Sequence, residues 1–183
     1  MDDWAEIWER KGLLKTTDFK KLDGYEGTDI DFAEVVRNIR TSLKIKPGDK
    51  ILEVGCGAGA LAVHFKDCDY TGVDKSQSMV NKFRELVGHD VVCTEPDYLL
   101  FAANTFDYVI MYSVAQYFAD YAYFSKVEKE VHRVAKRGIF IGDLPEKSHR
   151  DSHLLFSKAW FYNWTITDGY YNKDRFNVYK VLA

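Results

Sequence analysis

Hydrophobic and polar positions follow two different periods along this chain. In some stretches apolar residues recur every three or four positions, which is typical of helices with one buried face; in others a short apolar run is bounded by turn residues, which is typical of buried strands. Predicted helices are 4–11, 32–43, 60–65, 77–87, 121–136 and a helical piece at 153–161. Predicted strands are 50–54, 70–74, 90–94, 106–112, 138–143, 164–167 and 176–182.

The order of these elements predicts the fold class. From residue 46 onward strands alternate with helices, which favours a mostly parallel sheet with helices on both faces. The last two strands are separated only by the turn region "DGYYNKDR" and should form a hairpin. We therefore expect an α/β fold, a Rossmann-like doubly wound sheet of seven strands with an antiparallel C-terminal hairpin strand. The connection from Asp143 to Trp164 looks short, which indicates either a trimmed cap or residues absent from this sequence.

Composition narrows the class of protein. A chain of 183 residues favours one domain, and a net charge of −3 without a long basic run gives little support to a nucleic-acid partner. The three cysteines include no CxxC pair, so we expect no metal and no disulfide framework. The N-terminus lacks the features of a secretory leader, and no apolar run approaches the ~20 residues of a membrane span. These observations predict a soluble, cytoplasmic protein; they do not predict its oligomeric state.

A glycine-rich loop follows the first predicted strand of the sheet, in "ILEVGCGAGALAVHF". Side chains are minimal at Gly55, Cys56 and Gly57, so a ligand can lie against the backbone there. The helix predicted to follow would present free N–H groups to an anionic group. In an open parallel sheet, ligands bind beyond the carboxyl ends of the strands, where this loop lies.

Two acidic residues near this loop carry chemical information. Asp74 ends the next strand, about 20 residues after the loop, at the spacing where an acid binds ribose hydroxyls. Glu53 precedes the first glycine by two positions; it would repel a pyrophosphate and attract the ammonium of a methionine moiety. The loop has the spacing GxGxG, with Ala60 at the third position of the GxGxxG dinucleotide fingerprint, so the spacing alone leaves dinucleotides and S-adenosylmethionine both open.

The ordered motifs resemble those of class I S-adenosylmethionine-dependent methyltransferases. They are "ILEVGCGAGALAVHF", "YTGVDKSQSMV", "LLFAANTFDYVIMYSVAQYF" and "EVHRVAKRGIFIGD", and together they cover roughly Lys46 to Asp143. The resemblance implies S-adenosyl-L-methionine as cofactor and S-adenosyl-L-homocysteine as product. It places Glu53, Gly55 and Gly57 at the methionine part, Asp74 at both ribose hydroxyls, and Lys75 and Met79 near the adenine.

Further positions follow from the same resemblance. Glu95 falls where the family has an Asp that accepts a hydrogen bond from the adenine amino group, and Pro96 follows it without the usual N–H. Tyr112 and Ser113 end the fourth strand beneath the sulfonium, and Tyr117 follows in the region that lines the active site. Counted with Cys56 of the loop and Trp8, these complete the predicted cofactor-binding residues.

The N-terminal segment and the histidines leave several alternatives open. Trp4 and Trp8 either close over the cofactor as a lid or pack a helix on the sheet edge. His149 and His153 lie after the fifth strand, where the family builds acceptor sites, and either could be a general base. Asp143 is a rival base or a cap of the next segment. No catalytic residue is assigned from the sequence.

The acceptor is inferred by elimination. Amino-methylating enzymes of nucleic acids tend to carry an NPPY-like tetrad where this chain has "MYSV", which argues for a small molecule, with a hydroxyl of a metabolite or sugar as the expected acceptor. The alternatives are an NAD-dependent oxidoreductase on a similar fold and a non-catalytic cofactor-binding relative. The chain is expected to be one methyltransferase domain, 1–183, with an N-terminal helical cap at 1–45, a cofactor-binding core at 46–143 and an acceptor-side tail at 144–183.

Overall fold

The protein is built on one sheet of seven strands. The structure, a computed structural model, describes residues 3–147 and 152–182. The strands have the spatial order β3-β2-β1-β4-β5-β7-β6, and only β7 runs antiparallel to both of its neighbours. Their bounds are β1 Lys50–Val54, β2 Asp69–Asp74, β3 Asp90–Cys93, β4 Phe106–Tyr112, β5 Ala135–Pro145, β6 Thr165–Asp168 and β7 Arg175–Val181. The predicted fold class is confirmed.

Five α-helices accompany the sheet in the described part of the chain. They are α1 Trp4–Gly12, α2 Phe19–Leu22, α3 Phe32–Leu43, α4 Gln77–Leu86 and α5 Tyr121–Val134. Each begins at an Asp or Ser whose side chain accepts a backbone hydrogen bond from the first turn, a common helix N-cap. Among residues 3–147 and 152–182, none of the helices has the length and apolarity to span a membrane.

Helices cover both faces of the sheet. The stripe Val35, Val36, Ile39 and Leu43 of α3 joins a core cluster with side chains of β1, β2 and β4. On the opposite face, a second cluster contains the buried side of α5 and the alternate residues of the same strands. Strands buried on both faces explain the continuous apolar runs seen in the sequence.

The helix predicted at 60–65 is wrong. This part of the chain forms only a short 3₁₀ turn, Ala62–His64. Gly55, Gly57 and Gly59 have φ angles of 75°, 53° and 100°, which a right-handed helix excludes. A helix could therefore begin only after Gly59, and the chain must turn again before β2 begins at Asp69. The residues between are too few for a stable helix.

The helical piece predicted at 153–161 is also largely wrong. Only Lys158–Phe161 is helical, as a 3₁₀ turn. The N–H groups of Leu154 and Phe156 donate instead to the carbonyls of Gln116 and Pro145, so this segment follows neighbouring elements of the fold. The predicted hairpin at the C-terminus is confirmed, because β6 pairs with β7 in antiparallel register.

The strand order decides where a site can form. β1 lies between β2 and β4 in the sheet. After β1 the chain adds β2 and β3 on one side of β1, and it then crosses to the other side to add β4. Such a reversal of strand order opens a crevice at the carboxyl ends of the central strands. Glu53, Asp74 and Tyr112 lie at or near these ends, on β1, β2 and β4 respectively.

Candidate cofactor and acceptor site

A cavity of about 690 Å³ lies at the carboxyl ends of β1, β2 and β4, a volume within the range of small-molecule sites. Its walls include the glycine loop, the N-terminal helix α1 and the turn after β4. Of the predicted cofactor-binding residues, those that line it are Trp8, Glu53, Gly55, Cys56, Gly57, Asp74, Lys75, Glu95, Pro96, Tyr112, Ser113 and Tyr117. Met79 does not line the cavity, because it is buried against Leu22 and Ala58 beneath the loop.

Asp74 organises the glycine loop from the end of β2. One carboxylate oxygen accepts a hydrogen bond from the Gly57 N–H at 2.9 Å, and the other accepts from the Ser76 N–H at 2.9 Å. A carboxylate offers about four acceptor positions, so both oxygens keep capacity for two ligand hydroxyls. Asp74 therefore lies within the cavity wall with its two oxygens already oriented.

Asp23 is a component of the site that the sequence did not reveal. Its carboxylate accepts hydrogen bonds from the N–H groups of Ala58 at 2.7 Å and Ala60 at 3.2 Å. These are the N–H groups that a helix after the loop was expected to offer to an anionic ligand. A Cβ built on Gly57 would lie 2.4 Å from an Asp23 oxygen, so glycine is required there. Asp23 follows α2, and no local pattern in "KKLDGYEG" marks it.

Three carboxylates thus line the cavity: Glu53, which is buried, and Asp23 and Asp74, which are half-buried. In the described ranges none of them pairs with a lysine or arginine at ion-pair distance. Burial raises the pKa of Asp23 to about 7 and that of Glu53 to about 8, and the neighbouring carboxylates add to both shifts. Glu53 also accepts a hydrogen bond from Tyr70, which lowers its pKa in part. Because buried charges are normally compensated, this part of the cavity is suited to a cationic group.

The raised pKa of Glu53 predicts how stability depends on pH. Between its ordinary value of 4.5 and its folded value of about 8, the folded state holds a proton that the unfolded state has lost. Stability of the ligand-free protein should therefore fall as pH rises through this window. We expect the melting temperature, followed by scanning calorimetry from pH 5.5 to 8, to fall less steeply in Glu53→Gln than in the wild type.

The control for this experiment is the exposed Glu34→Gln on α3, which should leave the pH dependence unchanged. A wild-type melting temperature that is flat or rises over the same interval would contradict the assignment of Glu53 as a buried acid.

The segment after β3 lines a further part of the cavity. The Tyr123 hydroxyl donates to a Glu95 oxygen at 3.1 Å and to an Asp97 oxygen at 3.4 Å. Lys75 and Pro96 lie in the same part of the wall. This part of the wall therefore combines carboxylate oxygens with the apolar ring of Pro96 and the aromatic ring of Tyr123, which suits a heterocyclic base with an exocyclic amino group.

The helix α1 covers the mouth of the cavity. It is fixed to the start of α4 by Glu9, whose carboxylate accepts from the N–H groups of Gln77 at 2.8 Å and Ser78 at 3.3 Å. The rings of Trp4 and Trp8 lie 4.7 Å and 5.1 Å from the ring of Tyr117. Both tryptophans line the cavity, and the helix that carries them is also packed against α4.

The remaining reactive side chains divide by position. His153 packs against Trp4 and Tyr117 at ring distances of 5.1 Å and 5.4 Å, while His149 lies outside the described residues. Burial raises the pKa of the Cys56 thiol, which therefore stays protonated and is a small filler of the loop rather than a nucleophile. The described residues contain no cluster of His, Cys, Asp and Glu that could hold a metal ion.

Comparison with known proteins agrees with this geometry. Residues 52–141, from β1 into β5, match the family model described as "Methyltransferase domain". This part of the chain is similar to that family and makes up slightly less than half of the 183 residues. The enzyme class predicted from the sequence motifs, an S-adenosylmethionine-dependent methyltransferase of class I, is confirmed for this domain.

Relatives place the methyltransferase domain in context. Sterol 24-C-methyltransferase of Aspergillus fumigatus is 28% identical over 140 residues, which are 71% of this chain and 32% of that protein. The chain thus spans about a third of the length of this curated relative.

Solved structures share the fold at low identity. The N-methyltransferase NodS from Bradyrhizobium japonicum, solved with S-adenosyl-L-homocysteine, superposes with a TM-score of 0.74 at 17% identity over 98% of both chains. Magnesium protoporphyrin IX methyltransferase from Synechocystis, solved with S-adenosylmethionine, superposes with a TM-score of 0.67 at 17% identity over 97% of this chain and 90% of that one.

Proposed function

We propose that this chain binds S-adenosyl-L-methionine in the cavity and transfers its methyl group to a hydroxyl of a small molecule, such as a metabolite or a sugar. The product of the cofactor would be S-adenosyl-L-homocysteine. The chain would act as one domain in which 1–45 caps, 46–143 binds the cofactor and 144–183 contributes to the acceptor side. A cytoplasmic location and the absence of a nucleic-acid or membrane partner stay predictions from composition.

The single observation that carries this proposal is a group of three carboxylates in the cavity wall, the buried Glu53 and the half-buried Asp23 and Asp74, with no lysine or arginine at ion-pair distance in the described residues. The ammonium of a methionine moiety supplies the missing positive charge, and a sulfonium adds to it. A dinucleotide would instead bring a pyrophosphate toward the same carboxylates. The geometry therefore argues against the alternative of an NAD-dependent oxidoreductase.

The order of side chains along the cavity supports a particular orientation. Glu53 and Asp23 would hold the ammonium, and Asp74 would accept hydrogen bonds from the ribose hydroxyls. Gly55, Cys56 and Gly57 would let the ligand lie against the loop backbone. The adenine would lie at Lys75, Glu95 and Pro96, and the sulfonium would face Tyr112, Ser113 and Tyr117, with Trp8 covering it.

The contribution of this chain to the reaction would be orientation. When bound, the cofactor supplies a methyl group that its sulfonium charge already activates. Holding acceptor and methyl group in line converts a bimolecular reaction into an effectively unimolecular one, which lowers the barrier by roughly 7–11 kcal/mol. The aromatic wall of Trp4, Trp8 and Tyr117 would exclude water from the reacting groups.

Isothermal titration tests the cofactor assignment directly. We expect S-adenosyl-L-methionine and S-adenosyl-L-homocysteine to bind with micromolar dissociation constants, and NADH not to bind. Asp23 and Glu53 are ionised to a greater extent at pH 8 than at pH 5.5. The affinity for S-adenosyl-L-methionine, whose sulfonium is positively charged, should therefore increase with pH relative to the affinity for S-adenosyl-L-homocysteine. Saturable NADH binding without binding of either sulfur compound would overturn the proposal.

A further inference from the structure

A buried polar network lies beneath the cavity, at the carboxyl ends of β4 and β5. Ser113 follows the last residue of β4, and Asp143 is near the end of β5. Both residues have left-handed backbone angles, with φ of 57° and 61°. Neither is a glycine, so each conformation carries strain that the surrounding contacts must offset. Strained backbone conformations cluster at functional sites, so the proximity of these two residues indicates a chemical role.

Hydrogen bonds through Gln116 and Arg175 connect these two residues. Arg175 of β7 donates to Asp143 Oδ2 at 3.0 Å and to Gln116 Oε1 at 2.6 Å. Gln116 Nε2 donates to Ser113 Oγ at 3.2 Å, and the Ser113 side chain lies close enough to the Asp143 carboxylate to lower its pKa. Tyr171 adds a further hydrogen bond to Asp143 Oδ2 at 3.1 Å. Of this network, Ser113 is the member that lines the cavity.

The charge of this network differs from that of the three carboxylates in the cavity wall. The Asp143 carboxylate is compensated by the Arg175 guanidinium, and both side chains are buried. Its neighbours on the cavity wall, Tyr25 and Tyr112, are neutral hydroxyl groups. The Tyr112 hydroxyl is buried and has no hydrogen-bond partner within the described residues. A neutral acceptor that can donate and accept hydrogen bonds fits these groups, whereas an ammonium would find no net negative charge.

The geometry points to an acceptor subsite for a neutral hydroxyl, in which Ser113 contacts the acceptor oxygen and Asp143, acting through Ser113, receives the proton that the acceptor loses. This inference rests on the proposed methyl transfer to a hydroxyl and adds the residues that contact the acceptor and the path of its proton. Ser113 would be the catalytic residue, and Asp143 a positioning and proton-accepting residue behind it.

The proposed step balances in atoms and charge. The acceptor oxygen forms a bond to the methyl carbon while the bond between that carbon and sulfur breaks. The electron pair of the broken bond stays on sulfur, which becomes a neutral thioether. The hydroxyl proton passes to Ser113 Oγ as the Ser113 proton passes to the Asp143 carboxylate. The sulfonium charge and the carboxylate charge are lost together. Arg175 keeps neutral partners afterwards, because it also donates to Gln116 and to the Asp143 carbonyl at 2.9 Å.

Proton uptake by Asp143 also sets an expected pH dependence. Burial raises the pKa of Asp143 to about 6, while Arg175, Ser113 and Tyr171 hold it below the value that burial alone would produce. The remaining titratable groups that face it are Tyr25 and Tyr112, which stay neutral because burial raises the pKa of both. Turnover should therefore fall below about pH 6, where the base is already protonated.

The test uses three hydroxyl probes and their matched amines: phenol, benzyl alcohol and cyclohexanol against aniline, benzylamine and cyclohexylamine. Transfer of the tritiated methyl group from S-adenosyl-L-methionine is measured with the full chain, after calorimetry has shown that the cofactor binds. We expect transfer to at least one hydroxyl probe above its amine partner, with turnover that loses at least tenfold from pH 8 to pH 5.

Two substitutions isolate the proton path. Asp143→Asn keeps the shape and suits a positive φ, and Ser113→Gly removes the hydroxyl while relieving the backbone strain. Both should lower turnover at pH 8 by roughly 100-fold or more and abolish its pH dependence. Asp143→Asn, at a residue that does not line the cavity, should also keep cofactor affinity within about threefold. The matched control is Asn104→Gly, an exposed loop residue with a φ of 54°, which should keep wild-type turnover.

The possible outcomes separate this inference from the proposed function. Failure of the cofactor to bind would overturn the proposed function itself. If the cofactor binds and transfer goes preferentially to an amine, or to none of the six probes, the hydroxyl subsite is wrong. If Asp143→Asn slows turnover but keeps the wild-type pH profile, the Asp143–Arg175 pair is structural and the proton path is wrong.

Discussion

Replacing Asp74 with alanine is expected to weaken the binding of S-adenosyl-L-methionine by about 3 kcal/mol, roughly a hundredfold in Kd. The variant would lack the two charge-assisted hydrogen bonds that the carboxylate is proposed to form with the ribose hydroxyls. It would also release the Gly57 N–H, to which it is now bonded at 2.9 Å, so the loop would lose part of its orientation. Isothermal titration calorimetry measures the affinity, and the melting temperature of the ligand-free variant shows whether it is folded.

Two further variants make the Asp74 result interpretable. Asp74→Asn keeps one carbonyl oxygen for the loop and should recover folding more than it recovers affinity. Asp69→Ala, at the exposed opposite end of β2, should leave the affinity unchanged. A folded Asp74→Ala protein with wild-type affinity would show that the ribose lies elsewhere.

Replacing Arg175 with methionine is expected to lower the free energy of unfolding by about 3–5 kcal/mol. The pair that Arg175 forms with Asp143 at 3.0 Å is almost fully buried, with side-chain exposures of 9% and 1%. Without the guanidinium, Asp143 is an uncompensated buried charge, and Gln116 loses a donor at 2.6 Å. Urea denaturation at pH 8 measures the loss.

The sign of the pH effect distinguishes a lost charge pair from lost packing. Burial already raises the pKa of Asp143, and removing the cation raises it further, so protonation at lower pH should relieve the variant. Arg175→Met should therefore be less destabilised at pH 5.5 than at pH 8, and Arg175→Met/Asp143→Asn should recover most of the loss at pH 8. The control is Arg37→Met on the exposed side of α3. Equal destabilisation at both pH values would contradict an uncompensated charge.

Local hydrophobic patterns predicted most helices and strands because one constraint, the burial of apolar side chains, dominates along most of the chain. The stripe of α3 and the continuous apolar runs of β1 and β4 follow from burying one helix face or both strand faces. Where two constraints compete, the prediction failed. The apolar residues at 60–65 suggested a helix, but three glycines with positive φ before them left too little chain to form one.

The site divides in the same way. Glu53, Asp74 and the glycines between them were recognisable because the end of a strand, a bend and a carboxylate occur at short, regular spacing in the chain. Met79 was predicted near the adenine by resemblance, yet the structure buries it with Leu22 and Ala58. Its direction depends on how α4 packs against the N-terminal segment, which no spacing within α4 expresses.

The sequence by itself determined the alternating strands and helices, the glycine loop and the acid at the end of β2, since these depend on backbone preferences and on periods of a few residues. Only the tertiary structure decided that Asp23 binds the N–H groups of Ala58 and Ala60, that α1 covers the cavity, and that Arg175 compensates Asp143. Those contacts join residues 32 or more positions apart in the chain. Their energy comes from burial and charge compensation between elements, so it exists only after the sheet has assembled.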